Sequence, residues 1–225
     1  TENTVVGQNA GAAIDSRKNT YVGYSAGRYI EDEENTGIGN QALGGATGSV
    51  QTGYIRRNTA VGDRSLSKLA GNVNGNTAVG AYSGDAITTG GYNTLIGVNA
   101  GSDLVTGGNN TFVGSYCGEY TTSSFNTGLG SSALYGNTTG TYNVASGYRA
   151  LYTNTAGANN VAHGTEALYF NTSGDDNVGI GHNANRGRSG HTASLTTAVG
   201  TKALFINTTG AQVTALGADA GRENT

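Results

Sequence analysis

His163 and Ser146 stand where a repeated motif otherwise writes an aliphatic residue, in NVAHG (160–164) and NVASG (143–147). An imidazole one repeat from a hydroxyl is raw material for nucleophilic or metal chemistry. Neither has the company such chemistry needs. No Asp, Glu or Cys shares their place in the repeat, and His182 and His191 fall elsewhere in it. We expect no catalytic residue, no metal site and no cofactor. Cys117, the single cysteine, excludes an internal disulfide framework and reads as a small buried hydrophobe.

Charge offers a second kind of chemistry. The runs DSRK (15–18), EDEE (31–34) and RR (56–57) gather near one end. An acidic run suggests calcium, and a basic pair suggests an anionic glycan. In the register of the repeat, Arg17, Glu33 and Arg56 share one column, while Lys18, Glu34 and Arg57 share the next. Stacked coils then alternate the signs, and such pairs contribute about 0.2–1 kcal/mol each while setting register. Irregular coils are the better place for recognition, because binding residues gather on loops carried by a rigid scaffold. The long spacing around GGATGSVQTGYIRR (44–57) nominates Tyr54, Arg56 and Arg57 as receptor-binding residues. The basic stretch NRGRSGH (185–191) adds Arg186 and Arg188. Tyr135, Tyr152, Tyr169 and Phe205 each follow a Leu at the same place, predicting an aromatic ladder that packs or presents rings to sugars. The sequons at Asn137, Asn171 and Asn207 fall in repeated turns and mark turn chemistry.

The elements that position these residues follow from one sentence written thirteen times. Asn-Thr/Val-x-x-Gly begins at Asn3, Asn19, Asn35, Asn58, Asn76, Asn93, Asn110, Asn126, Asn143, Asn160 and Asn177, with degenerate copies from Thr196 and Val213. A period of about 17 residues sustained over the chain is the signature of a solenoid. The second residue is always Thr or Val, and the fourth is Val, Ile or Leu in nearly every copy. That alternation predicts a strand whose second and fourth residues face inward. On that reading Ser146 and His163 form a buried polar pair, hydrogen-bonded between neighbouring coils. The fifth residue is always Gly, for a turn with positive φ or a close backbone approach. The eighth is always small, from Ala10 to Ala220, which marks a crowded place. Each coil has room for two strands of about five residues and two turns.

Composition agrees with such a roll. Glycine is 39 of 225 residues, proline, methionine and tryptophan are absent, and net charge is −3. That balance has no basic nucleic-acid footprint, and no window approaches the ~20 apolar residues of a membrane span. Residues 1–225 read as a single β-roll domain cut from a longer fibre protein, opening on TENTVVG and closing on GRENT.

The copies NTAVGDRSL (58–66), NTGIGNQAL (35–43), NVASGYRAL (143–151) and NVAHGTEAL (160–168) carry a resemblance. The pattern resembles the head repeat of trimeric autotransporter adhesins of the YadA type. It is similar, more closely, to the NTAVGYQAL-type repeats of phage tail fibres and bacterial surface fibres. The resemblance implies an all-β, left-handed parallel β-roll of about thirteen coils, assembled as a homotrimer. It implies an extracellular module, on a cell surface or a virion fibre, that projects or contacts a glycan or protein receptor. Thin coils bury few apolar groups, and burying further surface between chains is the simplest remedy. Two other classes compete. An ice-binding solenoid would need the threonine column outward on a flat face. A β-helical polysaccharide-active enzyme would need clustered carboxylates or basic residues on a concave face.

Overall fold

The computed structural model describes residues 2–45 and 53–224, so segment 46–52 of the long third copy lies outside the described residues. Those described contain no helix. They form an all-β parallel solenoid of about thirteen coils, which divides into two compact units, Thr1–Phe112 and Val113–Thr225. Both units are built alike. Each coil contributes one three-residue strand that opens at the second residue of a copy, such as Thr59–Val61, Thr77–Val79 and Thr94–Ile96 in the first unit. In the second unit, Val144–Ser146, Val161–His163 and Val178–Ile180 repeat the arrangement. Strands pair in parallel with like residues opposed, Thr59 to Thr77 and Val61 to Val79, and Val144 to Val161 and Ser146 to His163.

The expected second strand of about five residues is replaced by turns. Only short pairings break them, such as Ile55–Arg56 with Val73–Asn74 and Ile206–Asn207 with Glu223–Asn224. The cause is backbone handedness. After the strand, the fifth, seventh and ninth residues of a copy all take positive φ, as in Gly62 (137°), Arg64 (51°) and Leu66 (50°). Alternating left-handed residues curl the chain instead of extending it. The curled segment still bonds to its neighbours: Arg64 N–H donates to Asn40 at 2.8 Å and Leu66 N–H to Ser83 at 3.1 Å. The fifth residue needs Gly for both expected reasons. Gly130 has φ of 135°, and a Cβ there would lie 2.7 Å from the carbonyl oxygen of Gly147.

The faces of the strand are the reverse of the sequence expectation. Beyond the first copy, where Val5 is exposed, the third residue points into the core: Tyr21, Ala60, Leu95, Phe112, Ala145 and Ala162 are all fully buried. The leading Asn is buried with it, while the second and fourth residues form the outer face. Alternation separates two faces but does not say which is inside. The deciding factor is volume. A coil with a large third residue carries Gly at the ninth place, as Tyr21 with Gly27, Leu95 with Gly101 and Phe112 with Gly118. Most coils with Ala or Gly third carry Leu there, as Ala60 with Leu66, Gly128 with Leu134 and Ala145 with Leu151, whereas Ala78 goes with Gly84, Gly179 with Asn185 and Ala215 with Gly221. A Cβ on Gly27 would meet the Tyr21 ring at 2.5 Å, so the two places share one space. The small eighth column is buried as expected, from Ala26 through Ser65 and Cys117 to Ala203. Burial pushes the Cys117 thiol up to about 12, which keeps it protonated and inert.

Candidate functional site

Two asparagine ladders organise the interior and fix everything displayed outside it. In the first, the leading Asn of each copy accepts from the backbone N–H of the next, Asn76 to Asn58 at 3.0 Å and Asn93 to Asn76 at 2.9 Å. Its amide also donates across the coil, Asn76 to Gly90 O at 3.0 Å and Asn143 to Gly157 O at 2.8 Å. One side chain therefore satisfies the strand entry and the opposite turn together. The residue before it takes positive φ, including Lys18, Glu34, Arg57, Tyr92 and Tyr142. That places the charge column and several rings at the rim.

The second ladder runs through Asn137, Asn154 and Asn171 and resumes at Asn207 and Asn224. Asn154 donates to Asn137 at 2.6 Å, Asn171 to Asn154 at 2.8 Å, and Asn224 to Asn207 at 3.4 Å. The sequon asparagines are thus turn-forming core amides, as their spacing suggests. His191 takes the missing place between Asn171 and Asn207, paired by backbone with Asn171. Its ring is 0% exposed, and neither nitrogen has a hydrogen-bond partner, nor does the facing Asn171 Oδ1. Burial lowers the imidazole pKa from 6.5 to about 4. Sequence reasoning singled out His163 and passed over His191. The repeat NTTG, NTAG, NTSG, HTAS, NTTG (137–140, 154–157, 171–174, 191–194, 207–210) carried the signal.

The Ser146–His163 pair is corrected. The two are neighbours in register, as expected. Yet the fourth residue faces outward, so His163 is exposed, Ser146 is half-buried, and no hydrogen bond joins them. The same inversion corrects the argument against ice binding, because the threonine column lies on the outer face.

The candidate receptor residues of the long third copy do come together. Tyr54, Arg56 and Arg57 line a shallow cleft of about 270 Å³ with Asn74, Gly75 and Tyr92. Tyr54 is exposed, and the Arg56 guanidinium sits 5.1 Å from its ring centre. Both arginines are engaged by the acidic run: Arg56 reaches Asp32 at 3.3 Å and Glu33 at 3.4 Å, and Arg57 reaches Glu34 at 2.9 Å. Lys18 meets the same Glu34 at 3.7 Å, completing the alternating column. The Arg57 hydrogen bond holds the Glu34 carboxyl below its usual range. The acidic run is therefore occupied by side-chain cations. No group of three or more His, Cys, Asp or Glu suited to a metal occurs among the described residues.

The aromatic ladder is present, with a cation built into it. Tyr135 stacks on Tyr152 at 4.8 Å and Tyr152 on Tyr169 at 5.0 Å, the rings of each pair nearly parallel. Arg186 follows, 5.0 Å from the Tyr169 ring centre and 5.8 Å from that of Phe205. Its Nε donates to Glu166 at 2.9 Å, so Arg186 is held within the stack. Arg188 is exposed and lies outside it.

The outer strand face carries no charge column. It presents a column of Thr or Val beside one of Val, Ile or Leu that Ser146 and His163 interrupt, with Val79, Ile96, Leu129 and Ile180 each about 40% exposed. Like residues oppose each other along it, as Thr77 to Thr94 and Val79 to Ile96. No family model matches this chain, and no curated protein or solved structure shows significant similarity to it.

Proposed function

We propose that the chain is a structural and adhesive module of a homotrimeric, left-handed β-roll fibre, displayed outside the cell on a phage tail fibre or bacterial surface adhesin. The observation that carries this reading is the outer strand face. A soluble monomer rarely leaves a contiguous apolar stripe in water, and a repeated one marks an association surface. Here nearly every coil adds one methyl-bearing and one aliphatic side chain in register, Ser146 and His163 being the two breaks in the aliphatic column, and no Asp, Glu, Lys or Arg opposes close approach. Two further copies of the same face are the natural cover. The likeness to fibre repeats supports the same assembly. The charged and aromatic residues lie off this stripe, free to meet a cell-surface glycan or protein. Light scattering tests the assembly: the expected mass is three times 22.6 kDa. Val79→Lys with Ile96→Lys should give a folded monomer. A monomeric wild-type chain, or a trimer indifferent to both lysines, overturns the reading.

The outward threonines favour a second reading, an ice-binding solenoid. Thr4, Thr20, Thr36, Thr59, Thr77 and Thr94 begin successive strands of one parallel ladder beside an aliphatic column. Thermal hysteresis separates the two. Freezing-point depression lost in Thr77→Lys would favour ice, and its absence from the wild type removes that alternative.

A further inference from the structure

A second, larger groove lies in the first unit, away from the cleft at Tyr54. Its volume is about 630 Å³, within the range of about 300–1,000 Å³ usual for ligand sites. Its walls come from the curled halves of successive coils and include Ser25, Arg28, Tyr29, Arg64, Lys68 and Asp85. None belongs to the strand stripe.

The charge in this groove is unbalanced. Three cations face one carboxylate, and only Lys68 uses it, at 3.3 Å to Asp85. Arg28 has no ion pair among the described residues and lies 5.0 Å from the Tyr29 ring centre. Arg64 donates its Nε to Gln41 at 3.1 Å and lies 5.8 Å from the Tyr82 ring centre, with no carboxylate paired to it among the described residues. Contrast the cleft at Arg56 and Arg57, where every guanidinium already meets a carboxylate.

We propose that this groove is a binding site for an acidic oligosaccharide, with Arg28 and Arg64 engaging a sulfate or carboxylate. Guanidinium forks match such planar or tetrahedral oxyanions in bidentate fashion. Tyr29 offers an apolar face for a sugar ring, and Gln41 offers an amide partner. The site rests on the adhesive reading only for its setting, because the assembly stands or falls on light scattering and the groove on binding.

The test is calorimetric titration of the intact chain with a sulfated glycosaminoglycan hexasaccharide, its desulfated counterpart and inorganic sulfate. The sulfated hexasaccharide should bind at least about tenfold more tightly than either other probe. Arg28→Gln and Arg64→Gln should each weaken it about tenfold or more, with the fold checked by circular dichroism. Lys202→Gln, which removes one charge from the other unit, should change affinity by less than about twofold. Equal binding of the desulfated probe overturns the proposal, as does equal binding of inorganic sulfate. So does undiminished affinity in both arginine variants, or an equal loss in Lys202→Gln.

Discussion

His191 sets an imidazole into a column of asparagine amides, and the ladder stops on both sides of it. Because the buried ring prefers to be neutral, the unfolded chain takes up a proton below about pH 6.5 that the folded chain resists down to about pH 4. Stability is therefore full above pH 6.5 and falls as pH drops through that window, by about 3 kcal/mol in all. Denaturant unfolding at pH 7.5 and 4.5 measures this directly. His191→Asn should restore a donor to Asn171 Oδ1 and an acceptor for Asn207, raise stability by about 1–2 kcal/mol and flatten the pH dependence. An unchanged slope in that variant would place the acid sensitivity elsewhere. His163 is exposed on the outer face, and His163→Val should leave monomer stability within about 0.5 kcal/mol.

A single coil owes its shape to one amide and one shared volume. Asn76 accepts from Asn93 and donates to Asn58 and Gly90. Asn76→Ala strands the buried Asn93 N–H and the Gly90 carbonyl, and should cost about 3 kcal/mol or more by denaturant titration. The volume rule is equally open to test. Leu95→Ala should cost about 2–5 kcal/mol, since it empties a fully buried place. Adding Gly101→Leu converts the coil to the Ala60–Leu66 pattern, and Leu66 shows that leucine is accommodated at φ of 50°. The double variant should recover roughly half of the loss or more. Additive destabilisation would mean that the two places do not share space.

At the scale of the molecule, stability is a sum over like coils and the contacts between neighbours. Cys117 reports on it, being a free thiol at full burial with its pKa pushed up to about 12. A thiol reagent at pH 8 should label it only as fast as the surrounding coils open, and labelling should accelerate in step with denaturant unfolding. Rapid labelling of the native protein would contradict the crowding of the eighth column.

Much was legible in the sequence because a repeat multiplies weak signals. The coil count, the parallel register, the obligatory Gly at the fifth place and the small eighth column all follow from spacing and from what only glycine or a methyl-sized group can do. The charge column and the stacked tyrosines follow too, since identical offsets bring side chains within a ladder spacing. What spacing could not decide is which side of a three-residue strand is inside. Hydrophobicity alone favours Val61 over Ala60 for the core, and the tertiary structure chooses Ala60. The third and ninth places of a coil share one space at its centre, as Tyr21 with Gly27 shows. The twelfth place fills the rest, with Ile30, Leu69, Ile87 and Leu104 in the first unit and asparagine amides such as Asn137 and Asn154 in the second. That choice turns the aliphatic column outward and makes it a surface. It also places His191, not His163, in the dry interior.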